Sequence, residues 1–221
     1  METTTDRARF NMIQQQVRPW DVLDDRALDA MASVRREAFV PDAYQGLAYA
    51  DIEIPIGAAA EMLAPKMIGR LLQAVAVQPG ERVLEIGAGT GYLSACLSHL
   101  GARVIAIEID PALAAEACTR LAAQGFDAVE VRTGDALAGP VAGGPFDVIA
   151  VTGSMPTERA LPMLKDQLAV GGRLFCILGV EPAMEAVLIT RVKKADYRRA
   201  GLFETTARAL VNATEPDGFE F

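Results

Sequence analysis

Along the chain, the spacing of hydrophobic and polar positions changes near residue 80. Upstream, apolar residues recur at helical intervals: Phe10, Ile13 and Val17 share one face of a helix that Pro19 stops. Asp24 caps a second helix with Leu28, Met31, Ala32 and Val34 as its stripe. Residues 51–56 alternate polar with apolar as a short edge strand, since Pro55 forbids a central one. Pro65 opens a third helix carrying Met67, Ile68, Leu71, Leu72 and Val75, which Pro79 and Gly80 close.

Downstream, short apolar runs alternate with helical stretches, the pattern of a parallel sheet in an α/β fold. Strands are predicted over 82–86, 103–108, 128–132, 146–151 and 173–178. Helices lie between them over 92–100, 112–123 and about 162–168. Asp110-Pro111 is a cap followed by a first-turn proline; Gln124-Gly125 and Gly171-Gly172 are stop signals. Residues 185–192 and 202–211 read as two consecutive strands with a turn over 193–201, an antiparallel end to the sheet. The fold class is therefore α/β, a doubly wound and mostly parallel seven-stranded sheet with an N-terminal helical cap. Residues 1–78 form the cap and a substrate loop, and residues 79–221 the core.

Composition narrows the function. With 51% hydrophobic residues in 221, the chain can bury a full single-domain core. A formal charge of −8 disfavours a nucleic-acid partner, because phosphate binding needs a basic face. Cys96, Cys118 and Cys176 are odd in number and set in apolar surroundings, and read as reduced core thiols with no metal site. The start, Met1 to Asp6, has neither the basic nor the apolar segment of a signal peptide, and no apolar window approaches the ~18 residues of a membrane span. A cytoplasmic protein is expected.

The chemistry gathers where the period changes. Val83-Leu84-Glu85-Ile86 runs into Gly87-Ala88-Gly89-Thr90-Gly91 and then the helical Tyr92-Leu93-Ser94: strand, tight turn, helix. Such a turn opens on the crevice where α/β sheets bind nucleotides. Glu108 ends the next strand about 20 residues beyond, the position from which a carboxylate accepts from both hydroxyls of an unphosphorylated ribose. Asp135, with Ala136, follows the third strand and can accept from an adenine amino group; Thr152-Gly153 follows the fourth. A dinucleotide would call for G-x-G-x-x-G, which the spacing of Gly87, Gly89 and Gly91 does not supply, and there is no P-loop lysine. The single histidine, His99, falls on a helix away from these strand ends and reads as structural.

As a set, Glu85-x-Gly87-x-Gly89-x-Gly91 with Glu108 resembles the S-adenosylmethionine site of class I methyltransferases. That resemblance implies S-adenosyl-L-methionine as cofactor, held by Glu85, Gly87, Ala88, Gly89, Gly91, Glu108, Asp135, Ala136 and Thr152, with Glu85 near its methionine moiety. The segments Asp24 to Met31, Val34 to Pro41, Ala48-Tyr49-Ala50-Asp51, Ile54-Pro55-Ile56-Gly57, Val77-Gln78-Pro79-Gly80 and Ala207-Arg208-Ala209-Leu210-Val211 arrive in an order that resembles the protein-L-isoaspartate O-methyltransferase family. Its last strand would be the final segment. The family methylates isoaspartyl carboxylates of damaged proteins, which implies a protein or peptide acceptor.

One stretch departs from that family. Where it reads close to Gly-Gln-Thr-Ile-Ser-Gln-Pro, this chain has Ala59-Ala60-Glu61-Met62-Leu63-Ala64-Pro65. Two hydroxyls beside the acceptor are thus replaced by Glu61 and Leu63, which present a like charge and an apolar group to a carboxylate. Glu61, Leu63 and Asp51 are the acceptor-side candidates, and no catalytic residue is assigned. Two other readings stand beside the leading one: a divergent methyltransferase acting on a small molecule or another protein group, and a silent cofactor-binding interaction module.

Overall fold

The computed structural model describes residues 3–216; Met1 and Glu2, part of the leaderless-start reading, lie outside the described residues, as do the last five of the core segment. The first helix, α1 (Thr4–Met12), starts on a capping box in which Thr3 and Asp6 bond reciprocally. It passes into a π turn (Ile13–Val17) and a 3₁₀ turn (Arg18–Trp20). The predicted face is broken there: Ile13 and Val17 are buried, whereas Phe10 points outward and Met12 takes its place. A wider turn between Phe10 and Val17 rotates the apolar stripe, which a uniform 3.6-residue period cannot anticipate. In α2 (Asp25–Ser33) Asp24 accepts from the amides of Arg26 and Ala27, with Ala27, Leu28, Ala30 and Met31 buried and Ala32 exposed.

The predicted edge strand over 51–56 shrinks to a two-residue ladder, β1 (Ile54–Pro55) against β2 (Glu61–Met62), separate from the main sheet. Pro55 has no amide to extend the ladder. Helix α3 (Pro65–Val75) buries all five predicted residues; it ends at Ala76, left-handed at φ 42°, before Pro79-Gly80 is reached.

The main sheet has β3 (Arg82–Ile86), β4 (Arg103–Glu108), β5 (Glu130–Thr133), β6 (Phe146–Met155), β7 (Leu168–Val180), β8 (Ala183–Lys193) and β9 (Asp196–Thr205), in spatial order β5-β4-β3-β6-β7-β8-β9. The first five are parallel and the last two antiparallel. Between β3 and β6 the order reverses, and a crevice opens there at the carboxyl ends. Helices α4 (Tyr92–His99) and α5 (Pro111–Ala123) connect β3 to β4 and β4 to β5, and α6 (Leu161–Asp166) precedes β7.

Alternate strand residues feed two cores. Val83, Val104 and Val148 join α3, α4 and the N-terminal elements on one face, while Leu84, Ile149 and Leu174 join α6 on the other. The N-terminal segment therefore shares its core with the sheet. His99 fits there: its Nε2 lies 3.3 Å from Asp29 Oδ2, linking α4 to α2. Among the described residues, no helix is long and apolar enough to cross a membrane.

Three boundaries correct the expectations. Gly171-Gly172 does not end a helix; it lies inside β7, where the pairing with β6 jumps from Phe146–Leu168 to Val148–Arg173. Strand β6 runs past Val151 to Met155 through a second irregularity between Ala150 and Ser154, so Thr152-Gly153 is strand backbone. The closing hairpin is tighter and earlier than predicted, turning between Lys193 and Asp196. As an edge strand, β9 leaves most of its side chains exposed and carries no alternation to mark it. Cys96 and Cys176 are buried, but Cys118 sits on the outer face of α5.

Where α3 crosses the N-terminal segment the approach is close. A Cβ on Gly69 would meet Val17 Cγ1 at 2.8 Å, Val22 Cγ2 at 3.1 Å and the Met31 sulfur at 3.3 Å. Gly69→Leu should therefore cost about 1–3 kcal/mol of stability by overpacking. A urea melt with an unshifted midpoint would show that the two elements separate freely.

Candidate active site

The turn after β3 is held from both neighbouring strands. From β4, Glu108 accepts the Gly89 amide on Oε2 at 2.9 Å and the Asp110 amide on Oε1 at 3.1 Å. Each of its oxygens keeps a second lone pair for a ligand hydroxyl. From β6, the Thr152 hydroxyl reaches the carbonyls of Gly87 at 2.7 Å and Ile86 at 3.0 Å. That approach needs glycine at 87, where φ is 87° and a Cβ would stand 2.3 Å from Thr152 Oγ1.

Two adjoining cavities flank the turn. The larger, an open crevice of about 740 Å³, is lined by Gly87, Gly89, Glu108, Asp135, Ala136 and Thr152 of the predicted set. Ile56, Ile107, Ile109 and Leu137 give it apolar walls. Its remaining side is Arg208 to Val211, which returns from β9. This stretch, likened above to a last strand, is no strand of the sheet: among the described residues its one strand-type pairing with β6 is the Ser154–Ala209 bridge. Ser154 holds it through its amide to Arg208 O, its carbonyl to Leu210 N and its hydroxyl to Ala207 O, all at 2.9 Å.

The smaller cavity, about 340 Å³, lies under the 54–63 loop and contains Glu85, Ala88 and Thr90 beside Arg36, Tyr92 and Leu93. Gly91 lines neither cavity and instead caps α4 with φ 91°. Asp135 lines the crevice with both oxygens engaged, Oδ1 by the Leu137 amide at 2.8 Å and Oδ2 by Asn212 Nδ2 at 2.9 Å.

Glu85 is fully buried. Its Oε2 accepts from Ser94 Oγ, while Oε1 has no partner. Burial pushes the carboxyl up to about 8 against the opposing Ser94 bond, and the nearby Glu108 charge adds to the rise. Below that pH the unliganded chain carries Glu85 neutral. A buried acid with a free oxygen fits a ligand ammonium, and the glycine turn with Glu108 fits a ribose, so these residues match S-adenosylmethionine.

On the acceptor side, Glu61 and Leu63 line both cavities, whereas Asp51 lines neither. Asp51 Oδ2 instead holds Lys66 Nζ at 2.8 Å, and that ammonium lies 4.5 Å from the centre of the Trp20 ring. Glu61 Oε2 is 3.8 Å from Arg208 Nε, and Arg208 Nη1 donates to Ala58 O at 3.1 Å. The like-charge problem posed by Glu61 is thereby offset by a cation that arrives from residues 208–211. Arg36 and Arg208 lie in segments that carry the family resemblance, but neither they nor Asn212 were expected at the site, since each gets there by a tertiary contact.

The chain matches the model of the family described as protein-L-isoaspartate(D-aspartate) O-methyltransferase over residues 8–212. It is 45% identical over 188 residues to a protein-L-isoaspartate O-methyltransferase of Methylorubrum populi, covering 85% of this chain and 87% of that one. Against one from Rhodopseudomonas palustris it is 36% identical over 203 residues, with 91% and 92% covered. The fold is similar to that of a Plasmodium falciparum protein described as a protein-L-isoaspartate O-methyltransferase in complex with S-adenosyl-L-homocysteine. That likeness has a TM-score of 0.76 at 20% identity and spans 95% of this chain and 99% of the other. With sheet order, glycine turn and sequence in agreement, the chain belongs to the protein-L-isoaspartate O-methyltransferase family.

Proposed function

We propose that the chain methylates the carboxylate of isoaspartyl residues in proteins, using S-adenosylmethionine. The observation that carries this reading is the pair of carboxylates on either side of one glycine turn. Glu85 is buried with an unpaired oxygen, matching an ammonium, and Glu108 faces the larger crevice with lone pairs to spare, matching a ribose diol. Ala136 and Leu137 offer an apolar slot for adenine, with Asp135 at its edge. The cofactor supplies an activated methyl group on a sulfonium, for in-line transfer to a nucleophile.

The chain's own contribution is positioning and exclusion of water. An acceptor carboxylate is already ionised at neutral pH and requires no general base, in keeping with a site that holds no histidine. Ile56 and Leu63 wall off the region between the cavities. At the rim Arg208 is the cation available to an acceptor carboxylate, partly neutralised by Glu61. The names of the curated relatives support the same acceptor.

Three outcomes test this reading. Labelled methyl should pass to an isoaspartyl peptide and not to its aspartyl twin, and the double variant Glu61→Thr, Leu63→Ser should raise kcat/KM by roughly tenfold or more through recovered donors. No transfer to the isoaspartyl peptide by either form, with S-adenosylhomocysteine bound normally, would point to a different acceptor.

Glu108→Ala should weaken S-adenosylhomocysteine by about 1.5–3 kcal/mol in calorimetry, as for loss of charge-assisted bonds. An unchanged Kd would remove Glu108 from the cofactor site.

Binding should also depend on pH. Free Glu85 holds its proton up to about pH 8, and a ligand ammonium favours the ionised form. Binding near pH 7 should release about one proton, and affinity should rise with pH from about 5 to 7. Calorimetry in two buffers of different ionisation enthalpy reads that proton, and Glu85→Gln should abolish its release.

A further inference from the structure

Arg36 is fully buried, under the 54–63 loop and against the start of α4. Its Nε donates to Ala48 O at 2.9 Å and its Nη2 to Leu63 O at 3.0 Å. The guanidinium carbon lies 4.9 Å from the centre of the Tyr92 ring. These contacts make it a bolt between the loop and the helix. They leave the two N–H groups of Nη1, which is buried and has no partner. Among the described residues no carboxylate pairs with Arg36.

An arginine that only tied two carbonyls together would have no reason to bury a third, unmatched nitrogen. The cavity it lines has three more unmatched buried atoms, Glu85 Oε1, Thr90 Oγ1 and Tyr92 Oη. A cation, a carboxyl and two hydroxyls around one space complement a zwitterion, whose ammonium suits Glu85 and whose carboxylate suits Arg36. We propose that Nη1 of Arg36 is the carboxylate-binding group of this smaller cavity. The proposal rests on the cofactor and acceptor read above, which supply two carboxylates of the same chemistry: the α-carboxylate of the cofactor's amino-acid end and that of the isoaspartyl acceptor.

The test is a cycle over protein and ligand. Calorimetry compares S-adenosylhomocysteine with its decarboxylated analogue, which lacks only the α-carboxylate, on the wild-type chain, Arg36→Met and Arg36→Lys. The wild type should prefer the intact ligand by about tenfold or more. Arg36→Met should bring the two within about threefold, and Arg36→Lys should keep part of the preference, having charge without the planar fork. If the preference survives both changes while KM for isoaspartyl peptide rises about tenfold at constant kcat, the carboxylate held is the acceptor's.

Equal weakening of both ligands with KM unmoved would make Arg36 a bolt alone and overturn the proposal. Should Arg36→Met fail to fold, Arg36→Lys carries the same comparison, and a full wild-type preference in that variant with KM unmoved overturns it equally. Failure of the wild-type chain to bind S-adenosylhomocysteine would instead overturn the cofactor reading, and this assignment with it.

Discussion

The site depends on how closely β6 approaches the backbone that leaves β3. The Thr152 hydroxyl occupies space that any side chain at residue 87 would need, and from there its one proton is shared between two successive carbonyls. On the other flank Glu108 fixes the amide of Gly89. β3 is paired along its length with both β4 and β6, so the turn inherits its position from the sheet. The crevice is thus a consequence of strand order, set before any loop or cap is considered. Loops then decide what may enter it: the 54–63 loop roofs the smaller cavity and residues 208–211 wall the larger.

How much of this is legible in the sequence follows from how local each signal is. The strands at 82–86 and 103–108 are read to the residue, because burial on both faces writes them as short, nearly unbroken apolar runs. Strand β9 fails for the opposite reason, since Asp196 to Ala200 is polar and its pairing is carried by backbone. The irregularities in β6 and β7 are equally silent: Gly171-Gly172 has the composition of a stop, yet Gly172 is packed among the carbonyls of Ala169, Phe146 and Asp147. In α1 a π turn rotates a face that the spacing of Phe10, Ile13 and Val17 had aligned.

The site divides the same way. Glu85, Glu108 and Asp135 are legible because each lies at or just past the carboxyl end of a parallel strand, and such ends meet at one edge; Thr152 reaches the same edge from within β6, whose continuation to Met155 the sequence does not mark. Arg36 is not, since Arg35 beside it is exposed and no period separates the buried one from its neighbour. Arg208 and Asn212 are invisible for a different reason: their segment reaches the crevice only by folding back onto Ser154. Asp51 shows the converse, a suggestive acid near the loop that is already committed to Lys66.

Electrostatics separates the two cavities. At the rim, Glu61 and Arg208 are partly exposed and 3.8 Å apart, so solvent screens their pairing and either can turn to a ligand at little cost. Glu85 and Arg36 have no such freedom. Each is sealed from water with one polar atom unmatched, and Glu85 responds by holding its proton while the Arg36 guanidinium, whose proton burial makes easier to lose, still keeps its charge at neutral pH. In the unliganded chain that arrangement works against folding, as unpaired buried groups do. A zwitterion that satisfies both ends removes the penalty in the folded state alone, so it stabilises the fold by more than its surface contacts would account for. With the ligand groups assigned as proposed above, the deep cavity selects by charge, which it satisfies in one orientation, whereas the screened rim leaves the shape of the 54–63 loop to govern which acceptors enter.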